Sequence, residues 1–196
     1  MTRFVLATAN PHKTEEMRAV LEGLGVELLE RPEGVPEVDE TELTLEGNAL
    51  LKARALVEAT GQAAIADDTG LFVDALDGRP GVFSARFAGE NASYDDNVTR
   101  LLAELEGVDA ASRRARFRTV IAVVYPTGEE LCVEGVLEGS IATERRGRNG
   151  FGYDPVFAPS ELGGLTLAEL SADEKNKVSH RSRALGALME ALRASS

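Results

Sequence analysis

The chain has 196 residues, 43% of them hydrophobic and 28% charged, with 33 acidic side chains against 21 basic ones and a net charge of −12. That hydrophobic share supports a buried core and excludes a disordered chain, and the acidic balance argues against a protein that coats nucleic acid by charge. Its one cysteine, Cys132, rules out an internal disulfide or a zinc site of paired cysteines.

Phe4 to Ala7 is a short continuous apolar run, the mark of a buried strand. Met17, Val20, Leu21 and Leu24 then recur at helical spacing, and Gly23 and Gly25 suit the helix end. Val26 to Leu29 reads as a second strand. The acid-rich stretch from Arg31 to Thr44, with Pro32 and Pro36, reads as an exposed loop. Leu45, Ala49, Leu50, Ala53, Leu56 and Val57 mark an amphipathic helix ending at Gly61. Ala63 to Ala66 and Leu71 to Val73 read as two short strands, and Gly78 to Gly89 as a loop. Val98, Leu101, Leu102 and Leu105 mark another helix. Arg116–Tyr125 and Glu130–Ser140 are rich in β-branched residues and separated by Pro126-Thr127-Gly128, which predicts a hairpin. A glycine-rich loop spans Gly147 to Gly152. The last helix starts at Ser171, with Glu174 completing a capping box, and runs through Val178, Leu185, Leu188, Met189 and Leu192. This alternation predicts an α/β or α+β fold with a mixed sheet. No apolar run approaches the roughly 20 residues of a membrane span. The opening residues also lack a signal-peptide pattern, so a soluble cytoplasmic protein with no membrane partner is expected.

Four segments could carry chemistry. Thr8-Ala9-Asn10-Pro11-His12-Lys13 lies between a strand and a helix, where unpaired N–H groups and the helix dipole suit a phosphate; Thr8 and Asn10 add hydrogen bonds and Lys13 a charge. The plainer alternative is a capped helix with a solvated lysine. Asp67-Asp68-Thr69-Gly70 follows a strand end, and two adjacent carboxylates call for a cation such as Mg²⁺. One of them could also deprotonate a water; an acidic turn is the alternative. Glu40 is a possible further metal ligand, little different locally from Glu37, Asp39 or Glu42.

Gly147 to Pro155 combines glycines that admit a close backbone approach with Phe151, a face for stacking, and Asp154, an acceptor for a ring N–H. Its alternative is a turn whose aromatics plug the core. Lys175, His180 and Arg181 stand on the last helix. Adjacent residues and a five-residue step, roughly 140° around an ideal helix, cannot share one face.

Six segments in register resemble one family over essentially the whole chain: ATANPHK, ETELTLEGNALLKA (40–53), AIADDTGLFVDAL (64–76), GRPGVFSAR (78–86), GFGYDPVF (150–157) and ELSADEKNKVSHRSRAL (169–185). It is the inosine/xanthosine triphosphate pyrophosphatase family, the Ham1-like hydrolases of non-canonical purine nucleotides. The resemblance implies a single domain over 1–196: an elongated α/β protein with two lobes around a central cleft, working as a homodimer with Mg²⁺. It implies hydrolysis of dITP, ITP and XTP to monophosphate and pyrophosphate. Carried over by position, Thr8, Asn10 and Lys13 would hold the triphosphate, with Thr69 in place of the usual serine. Asp68 would bind metal and activate water, Glu40 would be the second metal ligand, and Asp67 would support them. Phe151, Gly152, Tyr153, Asp154, Lys175, His180 and Arg181 would form the base pocket. One departure is Gly47, where the family commonly has a glutamate before Asn48. A pyrophosphatase of other altered nucleotides and a non-catalytic nucleotide sensor are the alternative readings.

Overall fold

The computed structural model describes residues 2–8, 10–21, 25–36 and 38–194; Ala9, Gly23, Leu24 and Glu37 lie outside the described residues. Seven strands and five α-helices occur among the described residues. In chain order these are β1 (Thr2–Leu6), α1 (Pro11–Leu21), β2 (Val26–Leu29), α2 (Leu45–Thr60), β3 (Ala64–Val73), β4 (Pro80–Gly81), α3 (Tyr94–Glu104), β5 (Arg114–Val124), β6 (Glu130–Ile141), β7 (Phe157–Pro159), α4 (Ala172–Val178) and α5 (His180–Ala194). The sheet order is β2-β1-β3-β5-β6-β7, with β4 on β3. β1 pairs in parallel with β2 and β3, while β3–β4 and β6–β7 are antiparallel, so the sheet is mixed as expected. No helix among the described residues is long and apolar enough to cross a membrane.

Local chemistry accounts for most boundaries. Thr44 caps α2 by accepting from Gly47 N, and Gly61, at φ 66°, closes it in the left-handed conformation that glycine adopts without penalty. The predicted 171–174 capping box is present at α4. A second box, between Ser93 and Asp96, starts α3 four residues before the first apolar position that periodicity marks.

Three expectations change. The two strands expected at 63–66 and 71–73 are one ten-residue strand, β3, so Asp67 to Gly70 is neither a turn nor a strand end. Both carboxylates are buried against cations, which removes the need for a solvent-facing break. The predicted last helix is two helices, because Ser179 takes an extended conformation (ψ 155°) between Val178 and His180. The expected loop at 78–89 contains β4 and a short 3₁₀ turn, Ser84–Arg86.

The chain divides into two compact units, one of residues 1–68, 119–135 and 180–196, the other of 69–118 and 136–179. The first has its own core of Phe4, Leu6, Met17, Leu21, Ile65, Ile121, Val123, Leu185 and Leu188. The second packs Leu71, Val98, Leu101, Leu105, Phe117, Leu137, Val156, Phe157 and Leu167 together. Arg113 is buried in this unit. It donates to the carbonyls of Leu105, Val108 and Ala142.

Candidate active site

In the first unit, β1 leads into α1, and Asn10 begins that helix. Its Oδ1 accepts from the backbone N–H of His12 (3.0 Å) and Lys13 (3.4 Å), while its own N–H donates to Thr8 Oγ1 (3.2 Å). The helix start is therefore capped from within. Lys13, however, is no solvated lysine: its ammonium lies 3.2 Å from Asp67 Oδ2.

Asp67 and Asp68 are consecutive on β3, so their side chains leave the strand on opposite sides and meet different partners. Asp67 is fully buried and also accepts from Arg181 Nε (3.3 Å) and Nη2 (3.2 Å). Arg181 bonds Glu16 with its other nitrogen. Burial alone would raise the pKa of Asp67, but the charges of Lys13, Arg181 and Lys52 outweigh it and hold the carboxyl well below the usual range.

Asp68 behaves in the opposite way. It faces α2, where Asn48 Nδ2 donates to Oδ2 (3.3 Å) and Lys52 Nζ to Oδ1 (3.4 Å). Burial pushes its pKa up to about 6; Lys52 pulls it down, while Glu40 and Asp67 add to the rise. Lys52 also bonds Glu40 Oε1 at 2.7 Å, so one ammonium joins the two acids. Its own pKa is raised despite burial, by Asp68, Glu40 and Asp67.

That bond singles out Glu40 within the acidic loop: Asp39 and Glu42 are exposed, and Glu37 lies outside the described residues. Asn48 ties the same loop down, accepting from Glu42 N (2.9 Å) and donating to Glu42 O (3.3 Å). At Gly47, a Cβ would stand 2.8 Å from Glu42 Cβ, so a longer residue there requires Glu42 to shift. Thr69 follows Asp68 on β3, half-buried.

His180 and Arg181 open α5 in this same unit. Both are buried, and His180 Nδ1 lies 2.6 Å from Thr119 Oγ1. The break at Ser179 resolves the helical-face difficulty, since Lys175 sits on a separate helix from His180.

In the second unit, Asp154 Oδ2 accepts from Phe151 N (2.8 Å) and Lys175 Nζ (2.5 Å), and the ammonium lies 4.6 Å from the centre of the Phe151 ring. Lys175 and Asp154 are both buried. Gly150 has φ 74°, and a Cβ there would stand 2.1 Å from Asp154 Oδ2, so the loop needs glycine. The two aromatics divide the two readings of this loop between them. Tyr153 is a core residue whose buried hydroxyl donates to Ser84 O at 2.9 Å, whereas Phe151 is half-buried. Gly152 is half-buried beside it, at φ 63°.

Asn48, Lys52 and Glu16 were missed as site residues. The signal for two of them was present: Asn48 and Lys52 are four apart within the apolar stripe Leu45–Ala49–Ala53–Leu56, where a polar pair needs a buried partner. Glu16 has no comparable mark.

The first cluster thus pairs a strongly ionised carboxylate held by two cations with a neighbour whose pKa is pushed up to about 6 beside a second acid and a lysine. Such a neighbour can take a proton from water or share a divalent cation. Among the described residues, no three His, Cys, Asp or Glu side chains form a metal-holding group.

Comparison with known proteins agrees with this chemistry. The model of the Ham1 family matches residues 4–191. A dITP/XTP pyrophosphatase of Thermoanaerobacter sp. (strain X514) is 55% identical over 185 residues, 93% of this chain and 92% of that one. The dITP/XTP pyrophosphatase of Bacillus subtilis (strain 168) is 46% identical, covering 99% of this chain and 98% of that one. Among solved structures, a HAM1 protein from Coxiella burnetii superposes with a TM-score of 0.89 at 42% identity, covering 99% of this chain and 100% of that one.

Proposed function

The chain belongs to the Ham1 family, and from that membership we propose that it hydrolyses non-canonical purine nucleoside triphosphates (dITP, ITP and XTP) to the monophosphate and pyrophosphate. The observation that carries the reading is Asp68, buried with a pKa near 6 and joined through Lys52 to Glu40.

The donor set fits a divalent cation. Asp68 and Glu40 offer carboxylate oxygens that already converge on a positive charge, and at Asp68 burial outweighs the downward pull of Lys52 on its pKa. Two carboxylates, with waters and phosphate oxygens completing the shell, suit Mg²⁺ better than an all-protein cage. When bound, Mg²⁺ would neutralise phosphate charge and acidify a nearby water.

Asp68 takes the proton of the attacking water. The water oxygen bonds the α-phosphorus as the bond from that phosphorus to the bridging oxygen breaks, and the electron pair leaves with pyrophosphate. Lys13, with Thr8 and Asn10 near it in sequence and Thr69 beside Asp68 on β3, offsets the charge that gathers on the phosphates. Asp67 keeps Lys13 and Arg181 in place. In the second cluster, Phe151 stacks on the purine. Lys175 donates to a 6-oxo group, and Asp154 accepts from N1–H. Adenine reverses both groups, so its binding leaves buried polar atoms unpaired. Gly152 and Tyr153 shape this loop, and His180 with Arg181 completes the binding residues. The family resemblance extends the proposal to a cytoplasmic homodimer.

Incubation with dITP and Mg²⁺ tests the reading: pyrophosphate and dIMP are expected, and release of orthophosphate refutes the cleavage site. Asp68→Asn is expected to remove turnover while circular dichroism stays native. Near-normal activity would remove Asp68 from the role of base.

A further inference from the structure

The backbone of Phe151 is well fixed, but its ring is not fixed by the backbone alone. The residue stands between two glycines of left-handed φ, Gly150 at 74° and Gly152 at 63°, and no atom lies within 4 Å of where a Cβ on Gly152 would be. Its N–H is held by Asp154. The ring itself meets the Lys175 ammonium and the ring of Tyr94, with centroids 5.8 Å apart and planes tilted by 44°.

Tyr94 is the first residue of α3, and that turn is anchored. Ser93 Oγ accepts from Asp96 N (3.1 Å), and Asp96 Oδ2 accepts from Ser93 N (2.9 Å). Arg145, five residues before Gly150, donates to Asp95 O (3.2 Å) and Thr99 Oγ1 (2.6 Å) and pairs with Asp95 Oδ1 (3.1 Å). The chain leading to the glycine loop is therefore tied to the same helical turn that presents Tyr94.

We infer that Tyr94 is a positioning residue: its ring sets the orientation of Phe151, and so tunes the affinity of this unit for a purine base. The inference rests on the proposed role of Phe151 as the base platform. A cation over the ring face holds Phe151 at a distance without fixing its tilt, because the attraction to the π-face is broad. A second ring in tilted contact restricts that tilt, and offset stacking on a purine depends on it. Tyr94 is also exposed, so its ring edge can extend the apolar surface beside Phe151.

Steady-state kinetics with dITP on the wild type, Tyr94→Ala and Tyr94→Phe test this, with inorganic triphosphate as a base-free inhibitor. An aromatic pair of ordinary strength predicts that Tyr94→Ala raises KM for dITP about threefold to tenfold. Its kcat should stay within about twofold of the wild type. Inhibition by inorganic triphosphate should not change, and Tyr94→Phe should restore the wild-type KM. A wild-type KM in Tyr94→Ala, an equal loss of triphosphate inhibition, or failure of Tyr94→Phe to rescue would overturn the inference. A second arm needs no substrate: in protein labelled at phenylalanine rings, Tyr94→Ala should shift the Phe151 ring resonances, and unshifted resonances overturn the coupling. A wild-type enzyme that left dITP uncleaved would overturn the proposed function, while the resonance arm still decides whether Tyr94 holds Phe151.

Discussion

Asp67 and Asp68 share a peptide bond and little else. Asp67 is clasped by Lys13 and Arg181, and so stays ionised far into acid; Asp68 has one lysine shared with Glu40, and burial wins. The signs for stability are therefore opposite. Asp67, with a depressed pKa, contributes stability that is present above the ordinary carboxylate value of 3.8 and lost as pH falls through its folded value. Asp68, with a raised pKa, favours the fold below 3.8, and that contribution is lost as pH rises through about 6. The same value sets a functional expectation. A cation can use Asp68 only after its proton has left, so Mg²⁺ affinity should hold above pH 7 and weaken by about tenfold per unit well below 6. Calorimetric titration of Mg²⁺ between pH 7.5 and 5 checks this, and an unchanged affinity contradicts it.

At the scale of elements, position along a strand or helix decides which residues reach the site. β3 carries its two acids mid-strand, where neighbours on both sides can present cations; a strand end would have left them in water. α2 delivers Asn48 and Lys52 from successive turns of one face. α5 brings Arg181, and its approach depends on Gly135 of β6: a Cβ there would stand 2.1 Å from His180 O and 2.3 Å from Ala184 N. Both clashing atoms are backbone, so the helix itself would have to move. Gly135→Ala is thus expected to cost about 1–3 kcal/mol through overpacking. Activity should also fall, because Arg181 is displaced from Asp67. Urea denaturation and dITP turnover measure the two effects, and an unaltered midpoint would show that α5 yields without cost.

Over the whole molecule, two separate cores stand behind two separate polar clusters. Leu185 is fully buried in the unit that holds the paired acids, and Leu101 is fully buried in the unit that holds Phe151 and Asp154. Truncating either to alanine should cost about 2–5 kcal/mol by transfer and cavity together. Leu185→Ala should disturb the Asp67–Arg181 pair, since Leu185 is one helical turn beyond Arg181 on α5. Leu101→Ala should loosen α3, and with it Tyr94. Denaturation midpoints measure both losses, and a cost below about 1 kcal/mol at either position would mean that its core relaxes to fill the space.

Much of this was legible without coordinates. Apolar spacing marked α1, α2 and α3, the alternation of strand and helix signals pointed to a mixed sheet, and six motifs in register pointed to the family. Those features depend on residues near one another in the chain, or on their order, and both are written directly in the sequence. The tertiary structure alone decided which charge answers which. Arg181 meets Asp67 across 114 positions, Lys52 bridges Glu40 and Asp68, and Lys175 lies over Phe151. It also decided that the two acids lie inside a strand and that the last helix breaks at Ser179. Such pairings arise when packed elements exclude water and force buried charges to find partners at contact distance, a condition that no local periodicity records.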